Sequence, residues 1–287
     1  MSFSVNTNNG AATALQSLNA TAKQLSITQS RINTGLAVAS TKDDSAAFNI
    51  AQSLRGDISG LTAVSSSLNN AKSVTDVAVS GAESISDILN QLKTLAAKSD
   101  DNTLTTDQRS QFNTDFTNLR DQITTIVNSS DFNGINLLSA GGGSVSALQS
   151  LKGGGTAPTN PNAFDPSTLN VANVDLSLGG ATITLAATDD ISTQANAHTL
   201  LSTIQTSQDN LGSKLSDLGS ASRTIDRQLS FTSKLSDALN AGVGNLVDAD
   251  LAKESANLQA LQVKQQLGVQ ALSIANQAPQ TILGLFH

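Results

Sequence analysis

The sequence predicts a mainly α protein, a long antiparallel helical coiled-coil rod with paired terminal helices and small β-hairpins in the middle. Three observations carry this reading. Both ends are low-charge stretches written in an apolar heptad repeat, although more than two hundred residues separate them. A longer heptad seam follows the first of them. The 287 residues also include only eight Phe and one Met, with no Trp or Tyr, so burial falls to Leu, Ile, Val and Ala. That suits thin helix-on-helix seams better than a thick aromatic core.

In the first stretch, Leu15, Leu18, Ala22, Leu25, Ile32 and Leu36 fall at alternating three- and four-residue steps, with Gln29 the polar member. This is the pattern of a coiled-coil seam. Lys42-Asp43-Asp44 then opens an Ala-rich helix start. Either acid suits an N-cap, and the same charges suit a latch between neighbouring molecules. The second seam is Leu61, Val64, Leu68, Ala71, Thr75, Ala78, Ala82, Ile85, Leu89, Leu92 and Ala96, eleven positions with one Thr. It predicts a helix of roughly 50–55 Å. Residues 99–106 break it, and Thr105-Thr106-Asp107 supplies N-cap chemistry for a return helix carrying Phe112, Phe116, Leu119, Ile123 and Ile126.

The middle reads differently. Asn133-Gly134, between short apolar stretches, is the strongest local hairpin signal. Residues 140–166 turn rich in Gly, Ser and Pro. Val174, Leu176 and Leu178 then alternate up to Gly179-Gly180, and Ile183 and Leu185 alternate after it, which predicts a second hairpin. Residues 140–190 are expected to form a small outward-facing insert. Beyond it, Leu201, Ile204, Leu211, Leu215, Leu218, Ile225, Leu229 and Leu239 keep one heptad register, with Gln208, Ser222, Thr232 and Ser236 at the remaining positions. Gly242 and Gly244, like Gly35, mark joints between the rod and the terminal helices, as breakers or as hinges.

The C-terminal stretch carries two apolar stripes. Leu251, Leu258, Leu261, Leu272 and Ala275 lie on one, and Ala260, Val263, Leu267, Ala271, Ile274 and Ala278 on the other. A single partner helix cannot cover both. This end is therefore expected to pack against the other terminus and against further copies of the chain.

Composition removes several classes of function. A net charge of −7 argues against nucleic acid, whose phosphates require a basic surface. The absence of Cys removes disulfides, thiolate metal sites and thiol nucleophiles. His198 and His287 are the two histidines, and the carboxylates show no ligand spacing, so no metal, cofactor or catalytic set is expected. The first ten residues carry no basic start and no apolar core, so no cleavable signal is expected, and no apolar run is long enough for membrane insertion. Export would require a dedicated apparatus.

The order of elements, terminal helix, long helix, return helix, hairpin insert, long helix and terminal helix, resembles bacterial flagellin. The resemblance is specific at residues 30–55, SRINTGLAVASTKDDSAAFNIAQSLR, at residues 248–268, DADLAKESANLQALQVKQQLG, and at residues 271–286, ALSIANQAPQTILGLF. It covers roughly residues 1–140 and 193–287 and leaves the insert unmatched.

The resemblance implies a secreted structural subunit of the extracellular flagellar filament, a helical homopolymer that serves as the propeller for swimming. Residues 1–40 and 248–287 would line its inner tube, residues 41–139 and 191–247 would form the outer tube, and residues 140–190 would face solvent. Polymerisation contacts would come from Leu15, Leu18, Leu25, Ile32, Leu36, Leu251, Leu258, Leu261, Val263, Leu267, Leu272, Ile274, Ile282, Leu285 and Phe286, with Lys42, Asp43 and Asp44 as an inter-subunit turn. The termini would be largely disordered before assembly.

Implied partners are the flagellar export apparatus, an export chaperone, the filament cap and hook-junction proteins. A vertebrate innate receptor binds flagellin monomers through positions matching Gln91, Leu95 and Asp115. Recognised flagellins carry Arg and Glu where this chain has Gln91 and Asp115, which predicts weak or absent receptor activation. Some flagellins carry sugars on exposed hydroxyls, for which Ser144, Ser146, Thr182, Thr184 and Thr188 are the candidates here. Competing readings are a hook-filament junction protein, which shares the terminal design, and a secreted coiled-coil adhesin or translocator.

Overall fold

The computed structural model describes residues 7–151 and 166–283, with side chains as far as residue 277. Its helices are α1 (Asn9–Thr34), α2 (Ser45–Ser99), α3 (Thr106–Ser129), α4 (Gln194–Val247) and α5 (Leu251–Leu283), and its strands are β1 (Val145–Ser150) and β2 (Ser167–Val171). The chain divides into two compact units, a terminal unit of residues 1–58 and 237–287 and a central unit of residues 59–236.

In the central unit the heptad seam of α2 is the core. Val64, Leu68, Ala71, Ala78, Ala82, Ile85, Leu89, Leu92 and Ala96 are buried, in one cluster with Phe116 and Ile123 of α3 and Ile204, Leu211, Leu218 and Ile225 of α4. Thr75, the polar member of the series, is fully buried and donates its hydroxyl to Ala71 O at 2.8 Å, so it leaves no orphan group. Polar pairs set the direction of α4 against α2. Asn90 meets Gln208, Asp76 meets Ser222 and Lys72 meets Asp226, so partner numbers fall as α2 rises and the two helices run antiparallel.

The break between α2 and α3 is built as its residues imply. Thr105 accepts from Gln108 N, and the Gln108 side chain accepts from Thr105 N, a complete capping box. Arg109 folds back to Ser99 O and Asp101 O at 3.0 and 2.8 Å, closing off the carboxyl end of α2.

The turn after α3 also forms. Asn133 and Gly134 have φ of 56° and 80°, as a type I′ turn requires, and join Phe132 to Ile135. The bridge stays a single pair because Asn136 then turns the chain inward. Its buried amide donates to Val127 O and accepts from Leu138 N and Ser139 N.

Two expectations for the insert need correction. The strand pair is β1 with β2, antiparallel from Val145↔Val171 to Ser150↔Ser167 with an irregularity after Leu148, and it lies earlier than the alternating residues 174–185. Val174, Leu176, Ile183 and Leu185 are buried as their alternation implies, but Val174 N and Leu176 N donate to Leu137 O and Leu138 O rather than across a hairpin. These residues join the same cluster as α2, α3 and α4, so the core of the central unit includes much of the segment expected to face outward.

In the terminal unit α1 and α5 run antiparallel. Asn8 donates to Ala275 O at 2.7 Å, Leu18 lies against Gly268, and Arg31 meets Glu254. Asn8 also caps α1 by accepting from Ala11 N, and Gly35, at φ 72°, ends it in the left-handed conformation with its N–H on Arg31 O. Leu36 then bridges to Asp248, and Leu36, Val38, Leu54 and Ile58 surround buried Ala51, Val243 and Val247. Gly242 and Gly244 break nothing, since α4 continues through both to Val247. The helix ends where Ala37 N and Val38 N take the Val247 carbonyl.

Candidate polymerisation surface

The surface is built from α1 and α5, whose shared seam is thin. On α1 the half-buried or buried series is Ala11, Ala14, Leu18, Thr21, Leu25, Thr28 and Ile32. Leu18, Leu25 and Ile32 stand where the sequence placed them, but Leu15, Ala22 and Gln29 face outward, and Leu15 is 48% exposed. The expected seam was one step off because the residues that face α5 are small. Ala and Thr carry little hydropathy, while the larger Leu15 drew the pattern toward solvent. On α5 the facing series is Glu254, Leu258, Leu261, Gly268, Leu272 and Ala275, the first stripe read from the sequence with Leu251 exposed instead. Gly268 serves close approach, since a Cβ there would meet Leu18 Cδ1 at 3.2 Å.

The second stripe of α5 has no cover among the described residues. Ala260, Val263, Leu267, Ala271 and Ile274 are exposed, with Val263, Leu267 and Ile274 at 54%, 57% and 69%. Ile27 and Val269 add to the apolar surface of the pair. Ala278 and Ile282 have no described side chains, and Leu285 and Phe286 lie outside the described residues.

A polar centre was missed. Arg31 Nη1 lies 3.2 Å from Glu254 Oε1, Glu254 is 8% exposed, and Thr28 is buried one turn away. The Arg31 Nε is buried without a hydrogen-bond partner among the described residues. Glu254, an acid at an otherwise apolar heptad position of α5, was the available signal.

At the turn, Asp43 accepts from Ser40 Oγ, Ser40 N and Ala39 N, and these bonds, the Ser40 hydroxyl first, hold its carboxyl below the usual carboxylate range. Asp44 accepts from Ala46 N and Ala47 N and so caps α2. Both acids therefore have local work, while Lys42 is exposed.

The other expected sites separate cleanly. Gln91, Leu95 and Asp115 come together in a groove between α2 and α3 that Thr94, Asn118 and Leu119 complete. Ser144, Ser146, Thr184 and Thr188 are exposed. Thr182 is a correction: it is 5% exposed and its hydroxyl donates to Val174 O, so it offers no acceptor for a sugar. No helix among the described residues is long and apolar enough to cross a membrane.

Two family models match the chain. The bacterial flagellin N-terminal helical region matches residues 5–142 and the C-terminal helical region matches residues 201–286. The chain is 43% identical to flagellin FljM of Caulobacter vibrioides over 99% of its own length and 98% of that protein. It is 35% identical to a flagellin of Brucella melitensis over 99% of each chain. Among solved structures it resembles one described as a flagellar hook-associated protein of Vibrio parahaemolyticus, with a TM-score of 0.52 and 19% identity over 72% of this chain and 100% of that one. The last likeness shows the fold alone.

Proposed function

The chain belongs to the bacterial flagellin family, and from that premise we propose how this subunit is held in its polymer. It is a structural subunit that polymerises into the flagellar filament, an extracellular assembly. No observation favours a hook-filament junction protein or a coiled-coil adhesin.

In our reading the paired helices α1 and α5 are the polymerisation surface, and the open stripe through Val263, Leu267 and Ile274 is the observation that supports it. Exposed apolar surface of this extent on an isolated subunit is unfavourable, and burial stabilises by about 25 cal/mol for each Å² removed from water. A tube of neighbours supplies the missing cover. Residues 1–40 and 248–287 then form the inner layer and residues 41–139 and 191–247 the outer layer, while Val174, Leu176, Ile183 and Leu185 tie the 140–190 segment to the core and leave only its exposed residues to solvent. Leu15, Leu251, Ile282, Leu285 and Phe286 join the inner contacts, and Lys42, Asp43 and Asp44 serve as an inter-subunit turn.

The finer steps are proposed on the resemblance to the family. The chain leaves the cell through the flagellar export apparatus, escorted by a chaperone, and adds beneath a cap beyond the hook-junction proteins. It carries no catalytic activity, binds no cofactor, and its groove at Gln91, Leu95 and Asp115 engages the innate receptor weakly.

The test is seeded assembly of purified subunit, imaged beside a chain lacking residues 268–287 and beside Ile274→Ser. Uniform filaments from the whole chain, none from the truncation and a raised critical concentration for Ile274→Ser are expected. Filaments from the truncated chain would refute assembly through α5.

A further inference from the structure

The central unit buries its seams well, yet Phe231 on α4 is 58% exposed. It does not stand alone. Arg227 and Arg223 precede it by one and two turns and Lys234 follows it by one, so all four share one side of the helix, and all are exposed. Arg227 donates to Thr224 Oγ1, and among the described residues none of the three cations has an ion pair. The nearby acid Asp226 is held by Lys72 at 2.9 Å. In a chain of net charge −7, three free cations around an exposed aromatic form a distinct surface.

The same unit carries a complementary hollow. The groove between α2 and α3 has a volume of about 490 Å³, apolar sides at Leu95 and Leu119, and the carboxylate of Asp115 at its rim. Phe231 cannot reach the groove of its own chain. Asn90, beside Gln91, bonds to Gln208, and the helical rise from Gln208 to Phe231 is about 35 Å.

We propose that Phe231 of one copy, flanked by Arg227 and Lys234, inserts between Leu95 and Leu119 of a second copy, with its cations toward Asp115. The occupant is a second copy because charge and shape match and because this chain polymerises. A knob and a hollow on different faces of one subunit make a heterologous contact, which propagates rather than closing as a pair. An aromatic anchor beside Arg is also the composition of interface hot spots. This contact rests on the filament reading and adds a second attachment, in the central unit, to the one assigned to α1 and α5.

The experiment uses the full chain in seeded assembly. Phe231→Ala, at an exposed position, is expected to raise the critical concentration about tenfold. Arg227→Asp should do the same, and adding Asp115→Arg to it should restore assembly. Because the chain has no Cys, Thr94→Cys with Ser230→Cys reports the contact directly while keeping Phe231. The two positions are too far apart to bridge within one chain, so oxidised filaments are expected to give a ladder of disulfide-linked chains. Filaments that form from the Cys pair without a ladder, or from Phe231→Ala at the unaltered critical concentration, would overturn this contact and leave the filament reading intact. No filaments from the unaltered chain would overturn both.

Discussion

Arg31 of α1 and Glu254 of α5 form an ion pair at 3.2 Å across 223 residues of sequence, with the carboxylate almost wholly buried. A buried charge that loses its partner is more costly than the pair is favourable, and the partial exposure of Arg31 screens part of that cost. Glu254→Gln is expected to weaken assembly by about 1–2 kcal/mol, read as a rise in critical concentration of about tenfold. Unchanged assembly would show that the pair contributes only register.

Hydrogen exchange should divide the chain. Within the described part of α1 and α5, Thr28, Glu254 and Leu261 are the buried residues, whereas the central unit has a continuous buried seam. In dilute subunit the amides of α1 and α5 are expected to exchange rapidly and those of residues 64–96 slowly, with the ends gaining protection on assembly. Strong protection at both ends of the free subunit would contradict this.

The capping box before α3 is exposed and complete within the single chain. Thr105→Ala removes its side-chain acceptor and should cost about 1 kcal/mol of subunit stability, measured by denaturant unfolding of the free chain. Thr105→Asp, which keeps an acceptor, should lose much less.

Gly81 lies where the turn after α3 crosses α2. A Cβ there would stand 2.5 Å from Ser130 Oγ and 2.7 Å from Leu138 Cδ1. Gly81→Val should therefore destabilise the central unit by about 1–3 kcal/mol through overpacking, despite the helix preference that normally opposes Gly. A thermal midpoint at or above that of the unaltered chain would count against so tight an approach.

Asp190 gives a pH dependence of defined sign. Its carboxylate accepts from Ser192 Oγ and Ser192 N and then from Asn196 Nδ2, which holds its pKa below the usual range, the Ser192 hydroxyl contributing most. The unfolded chain takes up the proton first as pH falls below about 3.9. The contribution is full above that value and is lost as pH falls through the lower folded value. Asp190→Asn should flatten this part of the acid limb of stability against pH; an unaltered limb would show that other carboxylates set it.

Sequence was most legible where one seam meets large apolar partners. From Val64 to Ala96 every heptad position named in advance is buried, Thr75 included, because Leu and Ile at a strict period leave only one face to hide. It was least legible where small residues do the facing. Ala14, Thr21 and Gly268 are half-buried in the α1 and α5 pair without a strong apolar signal, and β1 was hidden because Val145 and Ala147 lie in a Gly- and Ser-rich stretch far from their partners in β2. The outer stripe of α5 was readable as surplus apolarity. The cations around Phe231 were not, since their grouping depends on which side of α4 faces solvent.

The joint where Leu36 bridges Asp248, with Ala249 N on Gly35 O, has a consequence for the order in which the molecule is made. Among the described residues, the distant partners named for the first helix, Ala275, Gly268 and Glu254, all lie on the last. A ribosome must therefore release nearly the whole polypeptide before its opening segment acquires a mate, and loop closure over such a separation is slow. For most proteins so long a wait invites aggregation. In the proposed export of an unfolded chain, late closure would keep the first helix unpaired until the last has followed it.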